Sequence, residues 1–211
     1  MSIKSNAIII RDETAPKANT ATRIGSNLVE IADDLSIRLG ETTGTNTGDQ
    51  TASDIGLGWG QYGDTVYTVS SPFVINSGSV ATLPNNALSN ITTYLPSGVD
   101  SFYDSVNKKI IPQNIGDYYS INIRFKAKNT NVNGVFDIGL DIGGGLGIIF
   151  KETFLFAKGA GVEQDFNIVI TGYSLDTFSL NGGIPKVTSI LGNTSVYNIS
   201  YQITRMFSNG N

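Results

Sequence analysis

From about Asp64 onward the apolar residues recur every second position, and that period restricts this 211-residue chain to a largely β fold. In 118–128, Tyr119, Ile121, Ile123, Phe125 and Ala127 fall on one face, opposite Ser120, Asn122, Arg124, Lys126 and Lys128. Phe136, Ile138, Leu140 and Ile142 alternate with Val135, Asp137, Gly139 and Asp141. The same beat returns in Phe166, Ile168 and Ile170. It returns again in Tyr197, Ile199, Tyr201 and Ile203, opposite Asn198, Ser200, Gln202 and Thr204. Such alternation describes strands with one buried and one wetter face. Turn signals separate them at Asn85-Asn86, Pro96-Ser-Gly98, Asn133-Gly134, Gly143-Gly-Gly145 and Asn181-Gly-Gly183. Roughly eight strands at this spacing predict a sandwich or jelly roll over 64–211.

A different period precedes it. Ala21, Ile24, Leu28, Ile31 and Leu35 step by alternating threes and fours, placing Ala21, Leu28 and Leu35 at a and Ile24 and Ile31 at d of a heptad. Leu at a with Ile at d favours trimers or tetramers over dimers, so a short trimeric coiled coil is expected over 19–40. Asn19 or Thr20 suits the N-cap and Gly40 the C′ position. An isolated helix of ~20 residues is marginal in water, and Gly25 weakens it further, so a trimer here needs support from the β domain. The alternative is an amphipathic helix packed on its own β domain. Residues 1–18 read as an extended arm in which Ala7, Ile8, Ile9 and Ile10 form a β-branched strand, separated from the helix by Pro16. Too short to bury itself, that strand either docks on another protein or packs back on its own bundle. Residues 41–63 read as a Gly/Thr/Asn-rich linker ending in Trp59-Gly60-Gln61-Tyr62-Gly63.

Composition narrows the chemistry. There is no cysteine and no histidine. Disulfides, thiolate catalysis, His- or Cys-bound zinc, Ser-His-Asp chemistry and histidine pH switching are therefore excluded. Charged residues are 15% and the net charge is −4, with the basic residues scattered, which argues against nucleic acid or a polybasic membrane contact. No signal peptide or membrane-spanning run is expected: Ile8-Ile9-Ile10 is followed at once by Arg11 and Asp12.

Any catalytic site would have to use carboxylates. Asp137 and Asp141 lie four apart on one strand face, about 13 Å, too wide for either glycosidase geometry. Glu163 and Asp165 are about 6.6 Å apart, inside the inverting range, but a wet acidic face is the plainer reading. Gly143-Gly144-Gly145-Leu146-Gly147 runs on into Ile148-Ile149-Phe150, a strand rather than a helix, so a hairpin turn is expected rather than a phosphate loop. No cofactor and no metal site are expected. Trp59, Tyr62, Tyr67, Tyr94, Tyr103 and Tyr118 could stack sugars or partners, although most are expected in the core or at an interface between copies.

Particular segments carry a resemblance. Asn6–Ala15 (NAIIIRDETA) and Asn19–Gly25 (NTATRIG) resemble the start of many bacteriophage fibre and structural proteins, and Gly44–Gln50 (GTNTGDQ) is similar to a linker of phage tail and fibre chains. Asp64–Phe73 resembles the opening of their C-terminal β domains, and Phe156–Phe166 resembles trimeric jelly rolls of the tumour-necrosis-factor type. The resemblance implies a structural, non-enzymatic virion protein, made in the host cytoplasm and exposed on the particle. It implies a homotrimer with an N-terminal arm fixed to phage capsid or tail proteins, a short coiled coil and a jelly-roll head. A capsid-decorating head fibre with weak adhesion to host-surface glycans is the leading expectation. The alternatives are a tail or baseplate receptor-binding fibre and, further off, a polysaccharide depolymerase.

Overall fold

The computed structural model describes residues 51–210. The arm, the heptad helix and the linker as far as residue 50 lie outside the described residues, and with them Ala7, Ile8, Ile9, Ile10, Ala21, Ile24, Leu28, Ile31 and Leu35.

The described chain is mainly β, built as two large antiparallel sheets and a two-stranded ribbon of its fifth and sixth strands. In chain order the strands are β1 (Gly58–Gly63), β2 (Phe73–Ile75), β3 (Val80–Thr82), β4 (Ser89–Ile91), β5 (Tyr103–Asp104) and β6 (Lys109–Ile110). The longer ones follow: β7 (Tyr118–Asn129), β8 (Val135–Asp141), β9 (Ile148–Leu155), β10 (Gln164–Tyr173), β11 (Ile184–Leu191) and β12 (Thr194–Phe207). One short helix, α1 (Asp176–Asn181), sits between β10 and β11. The larger sheet runs β10-β7-β12-β1-β4, with β2 also on β12, and the smaller runs β3-β11-β8-β9. Chain neighbours such as β7 and β8, or β10 and β11, lie in different sheets, so the sandwich has the interleaved connectivity of a jelly roll.

The alternating residues meet between the sheets. Tyr119, Ile121, Ile123, Phe125 and Ala127 of β7 and Phe166, Ile168 and Ile170 of β10 are all buried against Phe136, Ile138, Leu140 and Val187 of the smaller sheet. Phe136 is the aromatic link: its ring centroid lies 5.8 Å from Phe125, 4.8 Å from Phe166 and 5.4 Å from Phe154. Four buried tyrosine hydroxyls find partners at the margins. Tyr62 accepts from the Phe102 amide, Tyr103 donates to the Asn85 carbonyl, Tyr201 donates to the Leu83 carbonyl, and Tyr119 donates to Asp117. Burial raises all four phenols above their usual range. The loops across 83–119 are thereby hydrogen-bonded to the core rather than merely laid over it.

Two differences from the sequence reading bear on the outer face of the larger sheet. First, β1 occupies 58–63, inside the expected linker of 41–63, and pairs with β12 along its length, from Gly58 opposite Arg205 to Gly63 opposite Ser200. Its glycines are there for close approach. A Cβ on Gly60 would lie 2.6 Å from the Tyr62 hydroxyl, and one on Gly58 would collide with the Tyr94 carbonyl. The sheet therefore begins six residues before the expected head boundary at 64. Second, Tyr197 does not share the face of Ile199, Tyr201 and Ile203. Val196 opposes Ala127 and Tyr197 opposes Lys126, but Ser200 opposes Arg124, so two residues, Asn198 and Ile199, face a single β7 residue. This bulge turns Tyr197 to the outer, polar face of the sheet while Val196 takes the core position.

The expected turns at Asn133-Gly134 and Gly143-Gly145 do join β7 to β8 and β8 to β9. Asn181-Gly-Gly183 closes α1 instead, with Gly182 at φ 74°.

One buried ionic cluster joins distant parts of the chain. Asp117 is wholly buried; its Oδ2 accepts from Tyr119 Oη at 2.9 Å, the Asn114 amide at 3.1 Å and Arg205 Nη1 at 3.3 Å, and its Oδ1 from the Asn209 amide at 2.9 Å. Arg205, 3% exposed, donates through Nε to the Gly56 carbonyl. Asp117→Ala leaves that guanidinium buried without its counter-ion, and the expected loss is about 3–5 kcal/mol in urea unfolding of the full chain. A loss below about 1 kcal/mol would show that the cluster is peripheral to stability.

Candidate functional site

The outer face of the larger sheet gathers most of the polar side chains that the alternation sends away from the core. Register places Lys126, Arg124, Asn122 and Ser120 of β7 beside Asp165, Asn167, Val169 and Thr171 of β10, and beside Tyr197, Ser200, Gln202 and Thr204 of β12. β1 adds Gln61 and Trp59 opposite Gln202 and Thr204. The middle of this face is uncharged. Its two ends differ.

At one end the chain comes in and goes out. Gly56 and Asn209 are both held by the Arg205–Asp117 cluster, and aromatic residues collect nearby. Trp59 stacks on Tyr94 with centroids 4.9 Å apart and planes 19° apart, and Tyr118 lies 4.7 Å from Tyr173. A groove of about 290 Å³ runs beside the first pair, lined by Thr51, Ala52, Trp59 and Tyr94 among others. Tyr173, Met206 and Phe207 are each more than half exposed. Of the other aromatic candidates, Tyr62 and Tyr103 belong to the core, while Tyr67 packs edge-on against Phe73.

The opposite end is charged. From Tyr118 to Lys126 the strand advances roughly 26 Å at about 3.3 Å per residue. Lys126 Nζ lies 2.7 Å from Glu163 Oε1 and 3.8 Å from Asp165 Oδ1. The acidic pair singled out by its spacing thus shares one ammonium, which already neutralises part of its charge. Tyr197, only 1% exposed, donates its hydroxyl to Glu163 Oε2 at 2.5 Å and carries Lys128 Nζ at 5.8 Å over its ring. The hydrogen bond from Lys126, then that from Tyr197, holds the Glu163 carboxyl below its ordinary range. Burial, and then the same carboxylate, raises the Tyr197 phenol. A groove of about 360 Å³ opens beside this cluster, bordered by Arg124, Lys126, Asp165, Asn167 and Asn198, with Phe125 and Phe166 also in its lining. Asn198 is the exposed residue of the bulge and adopts φ 53°, a left-handed conformation that Asn tolerates better than most side chains.

Sequence spacing found Glu163 and Asp165 but missed Tyr197, Arg124 and Asn198 as members of one cluster. The hint was the adjacent apolar pair Val196-Tyr197, which the alternation from Tyr197 to Ile203 leaves unexplained, and an alternation count cannot tell a regular strand from a bulged one. Among the described residues no group of three or more Asp, Glu, His or Cys side chains is placed to hold a metal ion, and no helix is long and apolar enough to cross a membrane.

The class this geometry defines is a two-sheet antiparallel β-sandwich of jelly-roll type with a charged groove at the end remote from the chain termini of the described domain. Among solved structures, similarity extends to "Structure of Eiger TNF from S. frugiperda", with a TM-score of 0.46, 6% identity, and coverage of 74% of this chain and 96% of that one. It extends also to "PRD1 vertex protein P5", with a TM-score of 0.39, 12% identity, and coverage of 72% and 97%. A third is "BiXyn10A CBM1 APO", with a TM-score of 0.33, 13% identity, and coverage of 70% and 91%. Likenesses this remote carry no functional argument, and the architecture rests on the strand order of the chain itself. No family model and no curated protein matches the sequence.

Removing the Tyr197 hydroxyl takes away one of the two bonds that favour the Glu163 carboxylate. Tyr197→Phe should therefore move the Glu163 titration to higher pH, towards the ordinary glutamate range, in a carboxyl-detected NMR titration. An unmoved Glu163 would show that Lys126 alone sets its charge.

Proposed function

We propose that this chain is a structural, non-enzymatic bacteriophage virion protein, a homotrimeric fibre that decorates the capsid as a head fibre and adheres weakly to glycans on a host or surrounding surface. The observation that carries this reading is the polarity of the β head. Both ends of the described chain meet at one end of the sandwich through Gly56 and Asn209, and the charged groove opens at the other. A groove remote from both ends of the domain's chain is the kind of free surface an adhesive head needs.

The sequence supplies the stalk. The heptad residues Ala21, Ile24, Leu28, Ile31 and Leu35 suit a threefold bundle, and Ala7, Ile8, Ile9 and Ile10 suit a strand that docks on a capsid or tail protein. The exposed Tyr173, Met206 and Phe207 support association of the heads, which a bundle too short to persist alone needs. Three heads per fibre and many fibres per particle multiply a weak contact without strengthening any single one. A receptor-binding fibre of the tail or baseplate is the second reading, and the free charged end of the head is what favours it.

Three measurements test the proposal. In sedimentation, Leu28→Asp combined with Ile31→Asp should convert trimer to monomer; an unchanged trimer would assign assembly to the head alone. Deletion of residues 1–18 should leave a folded trimer that no longer joins particles, and normal incorporation would remove the anchoring role of the arm. Labelling of intact particles should place the protein on the capsid, whereas a tail position would select the second reading.

A further inference from the structure

The charged end of the larger sheet contains more organisation than a solvated strand face requires. The bulge at Asn198 moves a full tyrosine out of the core alternation, and the ring is nevertheless 1% exposed, lying under the charged groups of the outer face. Its hydroxyl and the Lys126 ammonium grip the two oxygens of Glu163 separately, at 2.5 Å and 2.7 Å. The carboxylate, and with it the ammonium that reaches Asp165, is therefore fixed before any ligand arrives. Bulges recur beside binding sites because they re-aim a side chain, and here two are re-aimed: Tyr197 beneath the cluster and Asn198 at the groove.

Charge then selects the ligand. The charged residues that line the groove are Arg124 and Lys126 against Asp165, a net positive lining on a chain of net charge −4. Lys126 is committed to the Glu163 and Asp165 carboxylates. Arg124 has no carboxylate within salt-bridge distance among the described residues; its Nε meets the Asn167 amide oxygen at 3.4 Å, and the side chain is exposed. A guanidinium fork in that position is built for a planar anion, since it binds a carboxylate through two parallel hydrogen bonds. Beside it, Asp165, Asn167 and Asn198 offer acceptors and amide donors of the kind that pair with vicinal hydroxyls. The groove, at about 360 Å³, falls in the size range of small-molecule sites.

We propose that this groove binds the carboxylated terminal sugar of a surface glycan, with the carboxylate on Arg124 and the ring hydroxyls on Asp165, Asn167 and Asn198. Tyr197 and Glu163 are positioning residues that hold Lys126 and Asp165 in place. The assignment rests on the reading of the head as an adhesive element, and it specifies the end of the head and the class of sugar.

The test is calorimetric titration of the full chain with sialyllactose and trigalacturonate, each beside its neutral counterpart, lactose and galactotriose. Acidic sugars should bind at least about tenfold more tightly than neutral ones, and the preference should shrink as salt is raised. Arg124→Gln, an exposed change, should abolish the preference, a loss of roughly tenfold or more. Asn198→Gly keeps the left-handed backbone and should weaken acidic and neutral sugars alike. Tyr197→Phe should lower affinity less than Arg124→Gln and leave the acidic-over-neutral preference in place, while the Glu163 titration of the free chain moves upward. Thermal midpoints and sedimentation coefficients of Arg124→Gln and Asn198→Gly should match the unaltered chain. Equal affinity for acidic and neutral sugars, or undiminished binding by Arg124→Gln, overturns the proposal. So does a changed sedimentation coefficient in Arg124→Gln, which would make the groove a contact between copies. The fibre reading fails by a separate sign, absence of the protein from purified particles.

Discussion

The Asp117–Arg205 ion pair is the constraint on which the β sandwich is hung. It lies where the chain comes in at Gly56, where β7 starts and where the segment after β12 turns back through Asn209. β7 and β12 are the central pair of the larger sheet, so fixing their shared end fixes the register of everything paired to them. A buried ion pair adds little over apolar packing of the same volume, but a half-removed one is costly. Here the remaining capacity of the carboxylate is filled by the Tyr119 hydroxyl and two backbone amides, which makes the arrangement specific rather than merely tolerated.

Above that cluster the sandwich is held by ordinary burial. Phe136 sits where Phe125, Phe154 and Phe166 converge, so the two sheets are joined by aromatic rings from four strands. The tyrosine hydroxyls at the rim perform a second task, tying loops to that core through backbone groups. The result is a sandwich with two unlike ends. One collects the chain termini of the described domain and exposed apolar rings. The other displays a charged groove to which the bulge in β12 adds Asn198.

How far the sequence could be read depended on whether a strand kept its period. β7 and β10 alternate without interruption, and their buried residues are the ones the pattern names, from Tyr119 to Ala127 and from Phe166 to Ile170, whereas in β8 Asp137 of the expected wetter face is buried as well. β1 was hidden because its glycines look like a linker, although they serve close approach to Tyr62 and Tyr94. The helix α1 was hidden because six residues carry too short a pattern to distinguish from a turn. The candidate site was half visible. Glu163 and Asp165 stand out by spacing, whereas Arg124 and Asn198 look like any solvent-facing residue of a strand.

What the sequence by itself determined was the class of structure, because a two-residue period of apolar side chains can be buried only by strands facing a common core. It also determined the absence of histidine and thiol chemistry, which needs no fold to establish. What only the tertiary structure decided was the partner of each side chain. The face that Tyr197 occupies depends on one extra residue opposite β7, and pairing between strands about seventy positions apart is set by the whole sheet rather than by local pattern. For the same reason the meeting of Gly56, Asp117, Arg205 and Asn209 is a property of the closed sandwich and of no segment within it.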